Sequence, residues 1–144
     1  MKTSQIGLEL IKFFEGFKSK PYLCPASIPT IGYGTTIRKI GSRVKLTDKP
    51  ISEKEASELL QSTLVTYENI VMRKITRPLK QNEFDALVSF TYNTGGSKTL
   101  FEMVNSQNPL LKAWWISHYI TGGGKQLKGL IERRKAEAKL YFHE

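Results

Sequence analysis

Residues 15–35 read EGFKSKPYLCPASIPTIGYGT, from Glu15 to Thr35. Ahead of this stretch, Ile6, Leu10, Phe13, Phe14 and Phe17 recur at helical spacing, so residues 4–15 are predicted to form a helix. Thr3 or Ser4 can cap its start, and Gly16 is placed to end it. From Pro21 to about Val44 the texture is β-like. Short pieces such as Thr30–Thr36 are punctuated by Pro and Gly, as hairpins are. The quoted stretch is therefore where a helix hands over to a small antiparallel β lobe.

Beyond Pro50 the chain reads almost wholly as helix. Ser52 and Glu55 have capping-box spacing and open a pattern through Ala56, Leu59, Leu60, Leu64, Tyr67, Ile70 and Val71 to about Arg73. A helix over about 81–92 carries Phe84, Leu87, Val88 and Thr91 on one face and stops near Asn93–Gly96. A short helix covers 100–105, and Pro109 suits the first turn of another that bears Trp114 and Trp115. Trp is large and buried on average, so this pair reads as core rather than a sugar platform. Gly122–Gly124 reads as a flexible break before a last helix over about 127–142. The expected class is α+β in one 144-residue domain. Its β lobe spans about 17–50, its helical lobe 1–16 and 74–144, and its connecting helix 52–73.

Composition narrows the function. Lys and Arg number 22 against 13 Asp and Glu, a formal charge of +9. Nucleic acid, an acidic cell wall and an anionic membrane face are all partners for such a charge, and solubility alone also explains it. No zinc-finger, helix-turn-helix or RNA-binding signature accompanies it, so nucleic acid is not the expected partner. The single cysteine, Cys24, rules out an internal disulfide and a Cys-rich metal cluster. His118 and His143 are too few and too far apart for a His-based zinc site. The longest uncharged run, Pro21–Ile37, is broken by three Pro and two Gly and cannot cross a bilayer as a helix. Residues 1–12 lack the apolar centre of a signal peptide. The expectation is a protein made and kept in the cytoplasm until something releases it, with no stable membrane insertion.

Glu15 ends the first helix, where the helix dipole is negative and Phe13, Phe14 and Phe17 are close in sequence. Both influences favour a protonated carboxyl, which is what a general acid needs. Eight residues separate Glu15 from Cys24, five separate Cys24 from Thr30, and Ile31-Gly32-Tyr33-Gly34-Thr35 follows. This pattern resembles the catalytic signature of the phage-type lysozymes, glycoside hydrolase family 24. Their order is Glu, eight residues, Asp or Cys, five residues, Thr. Phe84–Gly95 is similar to the family's central helix, and Gly129-Leu130 with Arg133-Arg134 and Glu137 to its C-terminal pattern. One departure stands out: Thr35 occupies the place where the family commonly has His.

The resemblance implies a lysozyme-like fold and an endolysin. Such an enzyme is a muramidase that cuts the β-1,4 bond between N-acetylmuramic acid and N-acetylglucosamine in peptidoglycan and lyses the host. It implies no cofactor, a monomer, and release through a membrane pore made by another protein. Glu15 is the implied acid, Cys24 stands in place of the second carboxylate, and Thr30 helps hold the attacking water. A hairpin folding back would turn Cys24 and Thr30 to one cleft. Cys24 can act as base, as nucleophile or as a positioning group. Tyr22, Tyr33 and Asn93 are candidates for lining the sugar cleft, each with ordinary packing or capping as the alternative. Two other functions compete: a lytic transglycosylase, and a catalytically inactive basic wall-binding module. On a helical wheel, Arg134 falls inside the apolar arc of the last helix and Arg133 outside it, so Arg134 alone needs a buried partner. Glu137, backbone, or Glu15 could supply one. Lys128, Glu132, Lys135 and Lys139 share a face expected to meet solvent.

Overall fold

The computed structural model describes residues 1–38 and 41–143; residues 39 and 40, within the expected β stretch, lie outside the described residues. The elements in order are α1 (Gln5–Glu15), β1 (Lys18–Leu23), β2 (Pro29–Gly32), α2 (Glu53–Lys74) and α3 (Gln81–Thr94). They are followed by α4 (Lys98–Asn105), α5 (Leu111–Ser117), β3 (Thr121–Gly122), β4 (Lys125–Gln126) and α6 (Lys128–Tyr141). The class is α+β with small antiparallel sheets, as expected. Two compact units divide the chain, Met1–Leu10 with Thr66–Glu144, and Ile11–Val65.

The unit of residues 11–65 is built on the β1–β2 hairpin. Tyr22 pairs with Thr30 and Leu23 with Pro29, and the register shifts between Lys18 and Tyr22. Pro21 lies in that irregular segment, where its missing N–H removes a ladder donor. Ile31, Tyr33, Val44, Ile51 and the α2 residues Ala56, Leu59, Leu60 and Leu64 are buried. Gly32 has φ +67°, and a Cβ there would lie 3.1 Å from the Ala56 Cβ, so both backbone and space require glycine. Ser52 caps α2, accepting from the Glu55 N–H at 3.1 Å.

In the other unit α6 packs against α3 and α5. Helix α3 is buried on every side from Phe84 to Thr91, not along one face as expected. Its polar residues are therefore paired: Asp85 accepts from the Ser4 N–H at 3.0 Å, the Ser4 hydroxyl, and Gln81 Nε2 at 2.8 Å. Glu68 accepts the Thr3 N–H at 2.7 Å and its hydroxyl at 2.6 Å. These two carboxylates fasten the start of the chain.

Other expectations are corrected. The inward side of α1 is Gly7, Leu8 and Ile11, whereas Ile6 is 68 % and Phe13 79 % exposed. Gly7 determines this, because its Cα side lies so close to Asp85 that a Cβ would meet the carboxyl carbon at 2.7 Å. Gly122–Gly124 is not a loose break. It turns the β3–β4 hairpin, with Gly123 and Gly124 both at positive φ. Pro109 precedes α5 instead of lying in its first turn. Trp115 is buried, as expected of core, while Trp114 is half-buried and stacks on His118 with ring centroids 4.3 Å apart.

The largest correction concerns α6. Arg133 is 3 % exposed and so buried like Arg134, while Leu127 and Phe142 of the expected apolar arc are exposed. Glu137, fully buried, is the hub. It accepts from Ser89 Oγ at 2.6 Å, Trp115 Nε1 at 3.2 Å and Arg133 Nε at 3.3 Å. Arg134 Nε stands 2.8 Å from Oε1, the oxygen that Trp115 also meets, and Arg134 Nη2 donates to Oε2 at 3.1 Å. Arg133 also reaches the Ser89 carbonyl, and Arg134 reaches Asn93 Oδ1 at 2.8 Å. Of the partners considered for Arg134, Glu137 is the one that pairs with it. Burial of a cation is tolerable only with such partners. Lys128, Glu132, Lys135 and Lys139 are exposed, as expected.

Candidate active site

Glu15 is the last residue of α1 and is half-buried. Gly16 follows at φ +73°, with its N–H bonded to the Lys12 carbonyl, and turns the chain from helix into β1. The aromatic jacket expected around Glu15 is thinner than the sequence suggests. Phe13 points to solvent, and Phe17 is partly exposed with its ring tilted against Tyr33.

Cys24 directly follows β1. Its N–H donates to the Ile28 carbonyl at 3.1 Å, and its own carbonyl accepts the Ser27 N–H at 2.8 Å. Ser27 takes a left-handed φ of +61° to close this tight loop. The loop aims amide donors at the sulfur. The Ile28 N–H is the leading cause that holds the Cys24 thiol below its usual value, with partial burial opposing and the Ala26 N–H and Thr30 hydroxyl adding. The thiolate is the form these donors favour.

Thr30 is buried on β2, and its hydroxyl donates to the Ile28 carbonyl at 2.8 Å. A threonine hydroxyl has one proton. While that proton sits on Ile28, the oxygen can only accept; when Cys24 ionises, the same proton can turn to sulfur.

Tyr22 ties these groups together. It is the direct cross-strand partner of Thr30, so their side chains stand on one face of the hairpin. Residues 22 and 24 share a face by the period of an extended chain. Burial raises the Tyr22 phenol above its usual value, and the charges of Glu15 and Cys24 raise it further. Tyr22 thus lies within electrostatic reach of both.

Tyr33 and Asn93 are the remaining candidates. Tyr33 is buried, donates its hydroxyl to Glu53 Oε2 at 2.7 Å, and has Lys12 Nζ 5.5 Å from its ring centre. Asn93 is exposed near the end of α3, with its carbonyl oxygen held by Arg134 Nη2. Thr35 is fully buried, pairs its backbone with Ile31, and leaves Oγ1 with no hydrogen-bond partner among the described residues. No group of three or more metal-ligating side chains occurs among the described residues. The sequence offers Glu137 as a partner of Arg134 but not of Arg133, although its i+3 and i+4 spacing from Arg134 and Arg133 marks a helical ion-pair cluster.

An α+β fold with an acid at the end of the first helix and a Cys/Thr hairpin after it is lysozyme-like. The chain matches the phage lysozyme family over residues 12–137. It is 34 % identical over 150 residues to the endolysin of Bacillus phage PZA, covering 98 % of this chain and 55 % of that protein. Among solved structures, the endolysin from Escherichia coli O157:H7 phage FAHEc1 is 37 % identical, with a TM-score of 0.82 and coverage of 98 % of this chain and 93 % of that one. The muramidase domain of SpmX from Asticaccaulis excentricus is 31 % identical, with a TM-score of 0.81 and 97 % of both chains covered. The chain belongs to the phage lysozyme family. It spans about half the length of the first curated relatives it matches.

Proposed function

We propose that this chain is an endolysin-type muramidase that hydrolyses the β-1,4 bond between N-acetylmuramic acid and N-acetylglucosamine in bacterial peptidoglycan. The observation that carries the reading is the hairpin face on which Tyr22, Cys24 and Thr30 stand, with Glu15 in electrostatic reach of Tyr22. Family membership supports it.

In this reading Glu15 protonates the leaving glycosidic oxygen. Cys24, whose thiolate is favoured by amide donors, takes a proton from the attacking water, and Thr30 accepts a hydrogen bond from that water. The water oxygen bonds to the anomeric carbon as the glycosidic bond breaks, and the configuration inverts. Tyr22 lines the site. The chain's charge of +9 favours encounter with an anionic wall. No helix among the described residues is long and apolar enough to cross a membrane. The protein would reach the wall from the host cytoplasm through a pore made by another protein.

Mass analysis of the fragments released from purified peptidoglycan tests the reading. Reducing muramic ends are expected. A 1,6-anhydro end would make the protein a lytic transglycosylase, and no soluble fragments would make it a binding module.

A further inference from the structure

A concave cavity of about 600 Å³ opens in the unit of residues 66–144, and neither Glu15, Cys24 nor Thr30 lines it. The volume falls in the range of sites that hold small ligands. Its floor is apolar, with Leu111 and the Tyr141 ring both buried. Its rim is polar, lined by Arg77, Lys80, Asn82, Glu83 and Asn108.

Arg77 donates from Nε to the Val104 carbonyl at 2.8 Å, from Nη1 to the Pro78 carbonyl at 3.0 Å, and from Nη2 to the Tyr141 hydroxyl at 2.6 Å and Glu83 at 3.4 Å. Guanidinium has five N–H groups, so one at Nη1 is left over. Glu83 is neutralised by Arg77, and its other oxygen accepts the Lys80 N–H at 2.8 Å. The exposed Lys80 ammonium has no carboxylate of its own among the described residues. Asn82 spends both amide hydrogens on the carbonyls of Leu140 and Tyr141, which leaves its oxygen as an acceptor. Asn108 accepts the Leu110 N–H on its oxygen, which leaves its NH₂ as a donor.

The rim therefore presents two cationic donors, a neutral donor and a neutral acceptor above an apolar floor. Amide N–H and C=O groups complement the two asparagines, a carboxylate complements Lys80 and Arg77, and an alkyl segment covers the floor. We propose that this cavity is a second binding site, for a short acidic peptide carrying a free carboxylate, the chemistry of peptidoglycan's peptide stems. Its role in wall recognition rests on the muramidase reading, but the binding itself does not.

The test is an NMR titration of the whole chain with the acidic peptide N-acetyl-L-Ala-γ-D-Glu-L-Lys, beside the same peptide with its carboxyls amidated, and acetate. Saturating shifts confined to residues 77–83, 107–111 and 141–143 are expected from the acidic peptide alone. Lys80→Glu and Asn108→Asp, both at the cavity rim, should each weaken binding about tenfold or more, as loss of a charge-assisted bond does. Both should leave hydrolysis of peptide-free glycan oligomers unchanged. No saturating shift, equal binding of the amidated peptide or of acetate, or unchanged binding by both variants would overturn the proposal. Inactivity on peptide-free glycan with intact peptide binding would count against the muramidase reading alone.

Discussion

Arg134 Nε lies 2.8 Å from Glu137 Oε1, and both side chains are fully buried. The same carboxylate also holds Arg133, so two guanidinium groups share one anion inside the protein. Removing either arginine leaves the others' hydrogen bonds broken in a place water does not reach. Arg133→Ala and Arg134→Ala should therefore each cost about 3 kcal/mol or more of folding stability. Glu137→Gln should cost at least as much, because it leaves both cations without a counterion. Chemical denaturation measures all three. An Arg133→Ala protein within about 0.5 kcal/mol of wild type would remove it from the network.

Thr35 makes a contrary prediction. Its buried Oγ1 has no partner among the described residues, so it carries the cost of dehydration without the return of a hydrogen bond. Thr35→Val keeps the shape and removes the hydroxyl. It should leave stability unchanged or raise it by about 1 kcal/mol. A loss of more than about 1 kcal/mol in thermal melts would mean that the hydroxyl is bonded in solution.

Cys24 should react with iodoacetamide at a lower pH than an ordinary thiol. The Ile28 N–H and its companions lower its pKa, so thiolate is present below the usual thiol range. The sign for stability follows. A lowered folded-state value favours the native state above the unfolded thiol's pKa, and that contribution is lost as pH falls through the native value. Alkylation should abolish hydrolysis. A pH–rate curve with an ordinary or raised midpoint, or full activity after alkylation, would remove Cys24 from the chemistry.

Lys128, Lys135 and Lys139 are exposed on α6 and belong to no ion pair among the described residues. Charges of this kind act over about 8–10 Å at physiological salt. Lysis should slow as salt rises, and reversing Lys135 and Lys139 together should slow it further at low salt. Turbidity clearing measures both. Equal rates at low and high salt would assign the charge to solubility alone.

The helices of the α lobe were legible because their periodicity is long, and α2 ends within a residue or two of the expected bounds. The Glu15–Cys24–Thr30 spacing was legible because a helix end and a hairpin are local structures. What the pattern hid was which face turns inward. Ile6 and Phe13 look like core until Gly7 brings α1 against Asp85. Arg133 looks like surface until α3 delivers Ser89 to it. Hydrophobic periodicity cannot register a buried side that is polar and closed by tertiary partners. The Gly122–Gly124 turn shows the same limit, since positive φ suits a hairpin as well as a loose loop.

The rate at which Glu15→Gln releases new reducing ends from purified peptidoglycan, beside wild type, tests the proposed chemistry most directly. The substitution keeps the size and the helix end and removes only the transferable proton. A general acid contributes roughly 10²–10⁴-fold, so the variant should fall by at least the lower figure while folding and wall binding persist. A variant that keeps more than about a tenth of the wild-type rate would contradict the role of Glu15 and the assignment of the site built around it.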